Sequence, residues 1–192
     1  MPSGKFLLLR AKPFRENDLI IDALSKSGEK FTFSALNALK SKKRFAGGVL
    51  EPLNYVEILY SQSQAGHLVI QEGKILYGFP KLRESYAKLQ MAFHLLKMIQ
   101  KVSHEGLGDN HEIFDLLGNS LRELETSDEP HLLKLQFELK YLFYLGFLAP
   151  DKDTKEFIGK TISQHQSIEL TEEEYQYLSQ VTLQKLKQID LA

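Results

Sequence analysis

The sequence predicts an α+β protein, with a small five-stranded, closed or partly closed barrel followed by an all-α helical bundle. Three observations predict it. Residues 1–80 hold five short runs rich in β-branched and aromatic residues, parted by polar turns. No long helical pattern occurs among them. From residue 81 to 192 apolar residues recur at helical spacing instead, and the change falls at Pro80.

Phe6-Leu7-Leu8-Leu9 is the first strand, ending at Arg10 and Lys12. Arg15-Glu16-Asn17-Asp18 is a polar break, where Asp18 and Asn17 suit a turn because their side chains bond nearby backbone. Leu19–Leu24 is the second strand. Ser27-Gly28-Glu29-Lys30 signals a turn before the third strand, Phe31–Leu36. Leu53–Tyr60 is the fourth. His67–Phe79 is the fifth, with a break expected at Gly73.

Behind Pro80, a helix is expected over Leu82–Val102, where Leu89, Phe93, Leu96 and Ile99 recur at helical spacing. His104–Asn110 reads as a loop and Glu112–Leu124 as a second helix. Asp128 or Ser127 is expected to cap a third helix, His131–Leu145, and Gly146 to end it. That helix is apolar on nearly all sides, which suits the middle of a bundle. Thr171-Glu172-Glu173-Glu174 opens a last helix as a capping box with acidic first-turn residues.

Composition excludes several classes. Hydrophobic residues are 43 % and charged residues 26 %, the balance of a soluble globular chain. No apolar run reaches the ~18 residues of a membrane span. The N-terminal apolar run is too short for a signal peptide. There is no cysteine, so no disulfide, thiolate zinc site or cysteine nucleophile, which fits a cytoplasmic protein. The net charge of −1 divides unevenly, as +4 over residues 1–80 and −5 over 81–192. A basic front suits contact with a polyanion through the front alone.

No catalytic constellation stands out: G-x-S-x-G, H-E-x-x-H, Walker and G-x-G-x-x-G motifs are all absent. The six histidines lack metal-ligand spacing. No enzyme activity, metal or cofactor is therefore expected. Glu16 and Asp18 suit turn ordering better than paired acid–base work.

The segment Lys40–Pro52 points to binding. Lys40, Lys42, Lys43 and Arg44 lie within five residues, and Phe45, Gly47 and Gly48 follow. Mobile cations, a base-sized ring and glycines without Cβ suit a phosphate chain. Arg10 and Lys12 add to them. The expected DNA-binding set is Arg10, Lys12, Lys40, Lys42, Lys43, Arg44 and Phe45, with Phe14, Phe31, Tyr55 and Tyr60 as further stacking candidates. A merely solvated loop is the alternative for the cations, and the barrel interior for Phe31 and Tyr55.

Two stretches resemble a known family. Arg10-Ala-Lys-Pro-Phe14-Arg-Glu16-Asn-Asp18-Leu19 resembles the opening of the bacterial DNA-repair family RecO. Lys43-Arg44-Phe45-Ala46-Gly47-Gly48-Val49-Leu50-Glu51-Pro52 is similar to its R-F-A-G-x-L-x-P block. The likeness covers about residues 5–150. It implies an N-terminal OB-fold and a helical C-terminal part, and a recombination mediator that binds single- and double-stranded DNA without sequence specificity. It also implies strand annealing, assistance to recombinase loading, and RecR-like and single-strand-binding proteins as partners. One departure is plain. Many members carry a four-cysteine zinc knuckle after the L-G-F-x-P-like segment. Here Leu145-Gly146-Phe147-Leu148-Ala149-Pro150 leads into Asp151-Lys152-Asp153 without any cysteine. Packing of Phe157, Ile158 and Ile162 is expected to replace the metal. The rival functions are an adaptor for a partner's acidic tail and an RNA-binding barrel.

Overall fold

The structure, a computed structural model, describes residues 1–41, 43–101 and 111–190. Lys42 and the loop expected over His104–Asn110 lie outside the described residues. Contacts divide the chain into two compact units, one built on Met1–Phe79 and one on residues from Pro80 onward; the start of the helix at His111, up to Phe114, groups with the first.

The first unit is a closed barrel of five strands: β1 (Ser3–Phe14), β2 (Asp18–Ser25), β3 (Lys30–Ala35), β4 (Tyr55–Gln62) and β5 (Leu68–Tyr77). The order around it is β1-β2-β3-β5-β4, with β4 returning to β1. All pairs are antiparallel except β3–β5. This is the OB-fold arrangement. Phe6, Leu8, Ile21, Ala23, Phe33, Val56, Ile58 and Ile70 fill the interior. Phe6 meets Phe31 and Phe33 edge-on, with ring centroids 5.3 and 5.2 Å apart, so Phe31 belongs mainly to the core. Tyr60 packs there too, 5.3 Å from Phe33.

Two expectations about the strands are corrected. β1 runs five residues past Leu9, so Arg10 and Lys12 lie within the strand rather than at its end. β5 continues through Gly73, whose open Cα instead admits Val49, which a Cβ would meet at 3.4 Å.

The second unit is helical: α1 (Pro80–Arg83), α2 (Tyr86–Lys101), α3 (His111–Leu124), α4 (Pro130–Tyr144), α5 (Lys155–Gly159) and α6 (Glu172–Asp190). The first expected helix is thus two, parted at Glu84-Ser85, where Ser85 Oγ accepts from the Lys88 N–H at 3.4 Å. Neither Ser127 nor Asp128 is the cap of α4. Glu129 holds that position with no side-chain bond, Pro130 opens the helix, and Ser127 Oγ accepts from the Glu129 N–H. Gly146 ends α4 as expected. At φ 78° it lets its own N–H reach Phe143 O and the Phe147 N–H reach Leu142 O, at 2.9 Å each. The Thr171–Glu174 box also forms, with Glu174 accepting from the Thr171 N–H at 2.8 Å and donating its own N–H to Thr171 Oγ1 at 3.2 Å.

Where cysteines are missing, α4 holds the following chain directly. Gln136 Nε2 donates to Phe157 O and Lys160 O, at 3.0 Å each, and Lys140 Nζ donates to Ile158 O at 2.6 Å. Phe157 packs with Leu135, Leu139, Leu142, Leu148, Ile168 and Leu178. Asp151 starts this segment as a closed loop. Its Oδ1 accepts from Thr154 N and Oγ1, and these bonds draw its carboxyl below the usual range.

Candidate nucleic-acid interface

A one-residue slip decides which way the β1 cations face. Phe6 and Leu8 point into the barrel, so strict alternation would send Arg10 and Lys12 inward as well. The pairing with β2 shifts between Leu8, opposite Ala23, and Arg10, opposite Asp22. This is a β-bulge at Leu9. Beyond it Ala11, opposite Ile21, takes the inward place and packs on the core. Arg10, Lys12 and Phe14 are turned to the outer face and are exposed.

That outer face continues across the sheet. Asp22 of β2 sits opposite Arg10 on one side and Thr32 of β3 on the other. Arg10 Nη2 lies 2.7 Å from Asp22 Oδ2, and Thr32 Oγ1 donates to Asp22 Oδ1 at 3.0 Å. Lys30, buried near the other end of β3, feels Asp22 too. Burial lowers its ammonium pKa and Asp22 opposes that shift. The middle of the face is therefore largely charge-compensated, and the free positive charge lies toward its edge.

That edge is one end of the barrel, where β1 ends, β2 begins and β3 leaves. Phe14 pairs with Asp18, and Leu19 with Ala35. Arg15, at φ 56°, forms the turn, and its guanidinium lies 5.2 Å from the centroid of the Phe14 ring. The chain leaving β3 docks on the same turn. The Asn37 N–H donates to Asp18 Oδ1 at 2.7 Å and the Leu39 N–H to Asn17 O at 3.1 Å. Asp18 thus orders the exit from β3. Ala38 is buried in the core, which leaves Leu39 and Lys40 outward. Lys40 Nζ lies 3.2 Å from the end of the Asn17 side-chain amide, which meets it with its oxygen as acceptor once the amide is turned over.

Lys43 is exposed. Arg44 turns back, with Nη2 donating to Leu36 O at 2.9 Å and its guanidinium 5.0 Å from the centroid of the Phe45 ring. Phe45 departs from expectation. It is 8 % exposed and packs with Val49 and Leu50 in the barrel core, so it offers no open face to a base. The R-F-A-G-G-V-L segment is thereby mostly a plug. Gly47 and Gly48, at φ 67° and 71°, turn the chain so that Val49 and Leu50 enter the barrel. Asn54 Nδ2 fastens the plug by donating to Gly48 O at 2.9 Å. Among the described residues the end of the barrel thus brings together Lys12, Arg15 and Lys40, with Glu16 and Asp18 as the acids nearby, and Lys43 follows as an exposed cation farther along the chain leaving β3. Arg15 was not singled out in the sequence. The signal available was its place in the turn beside an exposed ring.

Comparison with known proteins agrees with this architecture. The family model described as "Recombination protein O N terminal" matches residues 1–79, and "Recombination protein O C terminal" matches residues 83–170. A "DNA repair protein RecO" of Maridesulfovibrio salexigens is 32 % identical over 144 residues, covering 74 % of this chain and 58 % of the relative. One of Solidesulfovibrio magneticus is 33 % identical over 148 residues, covering 76 % and 59 %. One of Thermodesulfovibrio yellowstonii is 33 % identical over 152 residues, covering 79 % and 60 %. The chain therefore matches under two thirds of the length of each of these relatives.

Proposed function

The chain belongs to the RecO family, and from that premise we propose that its barrel grips DNA backbones, without reading sequence, as part of repair by recombination. The observation that carries this reading is the bulge-directed outer face of β1 leading to the cationic end at Arg15 and Lys40, with Lys43 farther along the chain. Such charge binds phosphates and releases their counterions, in single or double strands alike. Annealing follows from the same contacts: phosphates neutralised on the barrel repel a complementary strand less, so the two meet and pair. No bond is made or broken, and the protein acts as a mediator rather than an enzyme. Assistance to recombinase loading, with RecR-like and single-strand-binding proteins as partners in the cytoplasm, completes the reading. Among the described residues no helix is long and apolar enough to cross a membrane.

The experiment is strand annealing by the purified protein with chelator present. Acceleration that chelation leaves intact and moderate salt suppresses is the expected result. Annealing no faster than in the absence of protein refutes the reading. Competition between matched DNA and RNA oligonucleotides tests the RNA alternative, which predicts preference for RNA.

A second reading, an adaptor for a partner's acidic and apolar tail, is favoured by a separate feature of the helical unit. A groove of about 220 Å³ has Met98, Tyr141, Leu183 and Ile189 as its apolar lining and Lys97 and Lys187 beside them. This combination suits a tail with apolar side chains and carboxylates, and the two functions coexist without conflict. An acidic-apolar peptide that binds the wild type and not Leu183→Asp supports it; equal binding by both removes it.

A further inference from the structure

The cationic end of the barrel exposes more apolar surface than phosphate contact needs. Leu39 is 58 % exposed, Phe14 47 % and Leu36 42 %. Two of them are tied to one turn. Phe14 opens it, and Leu39 is bonded to it through the carbonyl of Asn17. Leu39 also stands on a firm base. Asn37, at φ 52°, reverses the chain, its N–H is held by Asp18, and Ala38 is anchored in the core beneath. A large apolar side chain is therefore held outward by a locally well-bonded segment. Arg15 lies over Phe14, and Lys40 Nζ comes within 3.2 Å of the Asn17 side-chain amide in the same turn.

From this juxtaposition we propose that the tip is a base-unstacking wedge. Phe14 and Leu39 enter the base stack where a duplex meets a single strand, while Arg15 and Lys40 hold the flanking phosphates. The inference rests on the DNA-binding reading above and adds a task to that site. Side chains of this kind, wedged between base steps, part them while neighbouring cations hold the backbone. The junction is the preferred place because a base next to an unpaired neighbour costs least to displace. Charge complementarity and continuity with the outer face of β1 favour DNA over other occupants of the tip. In annealing, the wedge lets a wrongly paired end reopen and search again.

The test places 2-aminopurine at the first paired position of a single-strand/duplex junction and titrates in the full chain. Fluorescence should rise about twofold or more as the base leaves the stack. Leu39→Gln, at a half-exposed position, should bind single-stranded DNA within about threefold of wild type yet lose at least about half of that rise, and Phe14→Gln, compared at equal DNA occupancy because its ring can also stack on a base, should lose as much. Circular dichroism establishes that the variants are folded. Binding without any rise overturns the wedge and leaves the grip standing. Failure of the wild type to bind DNA at all refutes the underlying reading instead. A rise that both variants retain also overturns the wedge. So does binding to phosphatidylglycerol vesicles that Leu39→Gln abolishes while the junction signal persists, which would assign the tip to a membrane surface.

Discussion

Replacing Lys12, Lys40 and Lys43 together by Ala isolates charge from structure. Arg10 is left in place because Asp22 holds it, and Arg44 because it bonds Leu36 O and covers the Phe45 ring. All three lysines are exposed, so the barrel should remain folded. Each single-strand phosphate contact contributes about 0.7 to the slope of log affinity against log salt. Three contacts contribute about two in all, so the triple variant should bind about a hundredfold more weakly near 0.1 M salt. The loss should shrink as salt rises, because the variant's slope is shallower. Between 50 and 200 mM salt the wild type should lose roughly twentyfold more affinity than the variant. Fluorescence anisotropy with a labelled oligonucleotide measures both quantities. A variant with unchanged affinity and unchanged slope would mean that the end of the barrel does not touch phosphate.

Phe45→Ala should behave as a core truncation, destabilising the barrel by about 3–5 kcal/mol in thermal or urea unfolding; unchanged unfolding with weaker DNA binding would restore it as a stacking ring. Gln136→Leu should lower the stability of the helical unit by about 1–3 kcal/mol, since the carbonyls of Phe157 and Lys160 lose their donor. Limited proteolysis should then cut between residues 150 and 170 sooner than in wild type, and equal resistance would show that the segment is held otherwise. Tyr141, buried with its hydroxyl donating to Met98 O at 3.3 Å, has its pKa raised by burial. The folded state therefore keeps this proton after the unfolded chain has released it. The resulting stability is complete below the unfolded value near 10 and falls by about 1.4 kcal/mol per pH unit above it. Tyr141→Phe should flatten that alkaline decline in urea unfolding, and an unaltered decline would contradict the assignment.

The barrel was legible because its strands are short runs of β-formers between turn residues, and the helical part because Leu and Phe recur at helical spacing. What sequence periodicity did not reveal was the bulge at Leu9. Phe6–Leu9 and the polar residues after it carry no mark of a one-residue slip, yet the slip determines that Arg10 and Lys12 face outward. The Lys40–Pro52 segment reads as one functional loop because composition sets charge, ring and glycine side by side. In three dimensions it divides by polarity. Lys40 and Lys43 stay outside, while Phe45, Val49 and Leu50 enter the core and Arg44 covers the entrance. Burial competes with binding for the same aromatic residues, and a closed barrel of this size has an interior to fill. The resemblance to the R-F-A-G-x-L-x-P block is accordingly a resemblance of packing as much as of ligand contact. Phe157 and Ile158 pack against α4 in the segment that follows Pro150. The polar half of that contact, Gln136 and Lys140 on carbonyls, was hidden because both residues lie in a helix whose apolar neighbours dominate the pattern.

The most direct measurement is photo-crosslinking of the whole chain to a single-stranded oligonucleotide carrying a photoreactive base, with the crosslinked peptides identified by mass spectrometry. Crosslinks should fall within Arg10–Arg15 and Asn37–Lys43 and should fade as salt is raised. Crosslinks confined to the helices between Tyr86 and Asp190 would contradict the account.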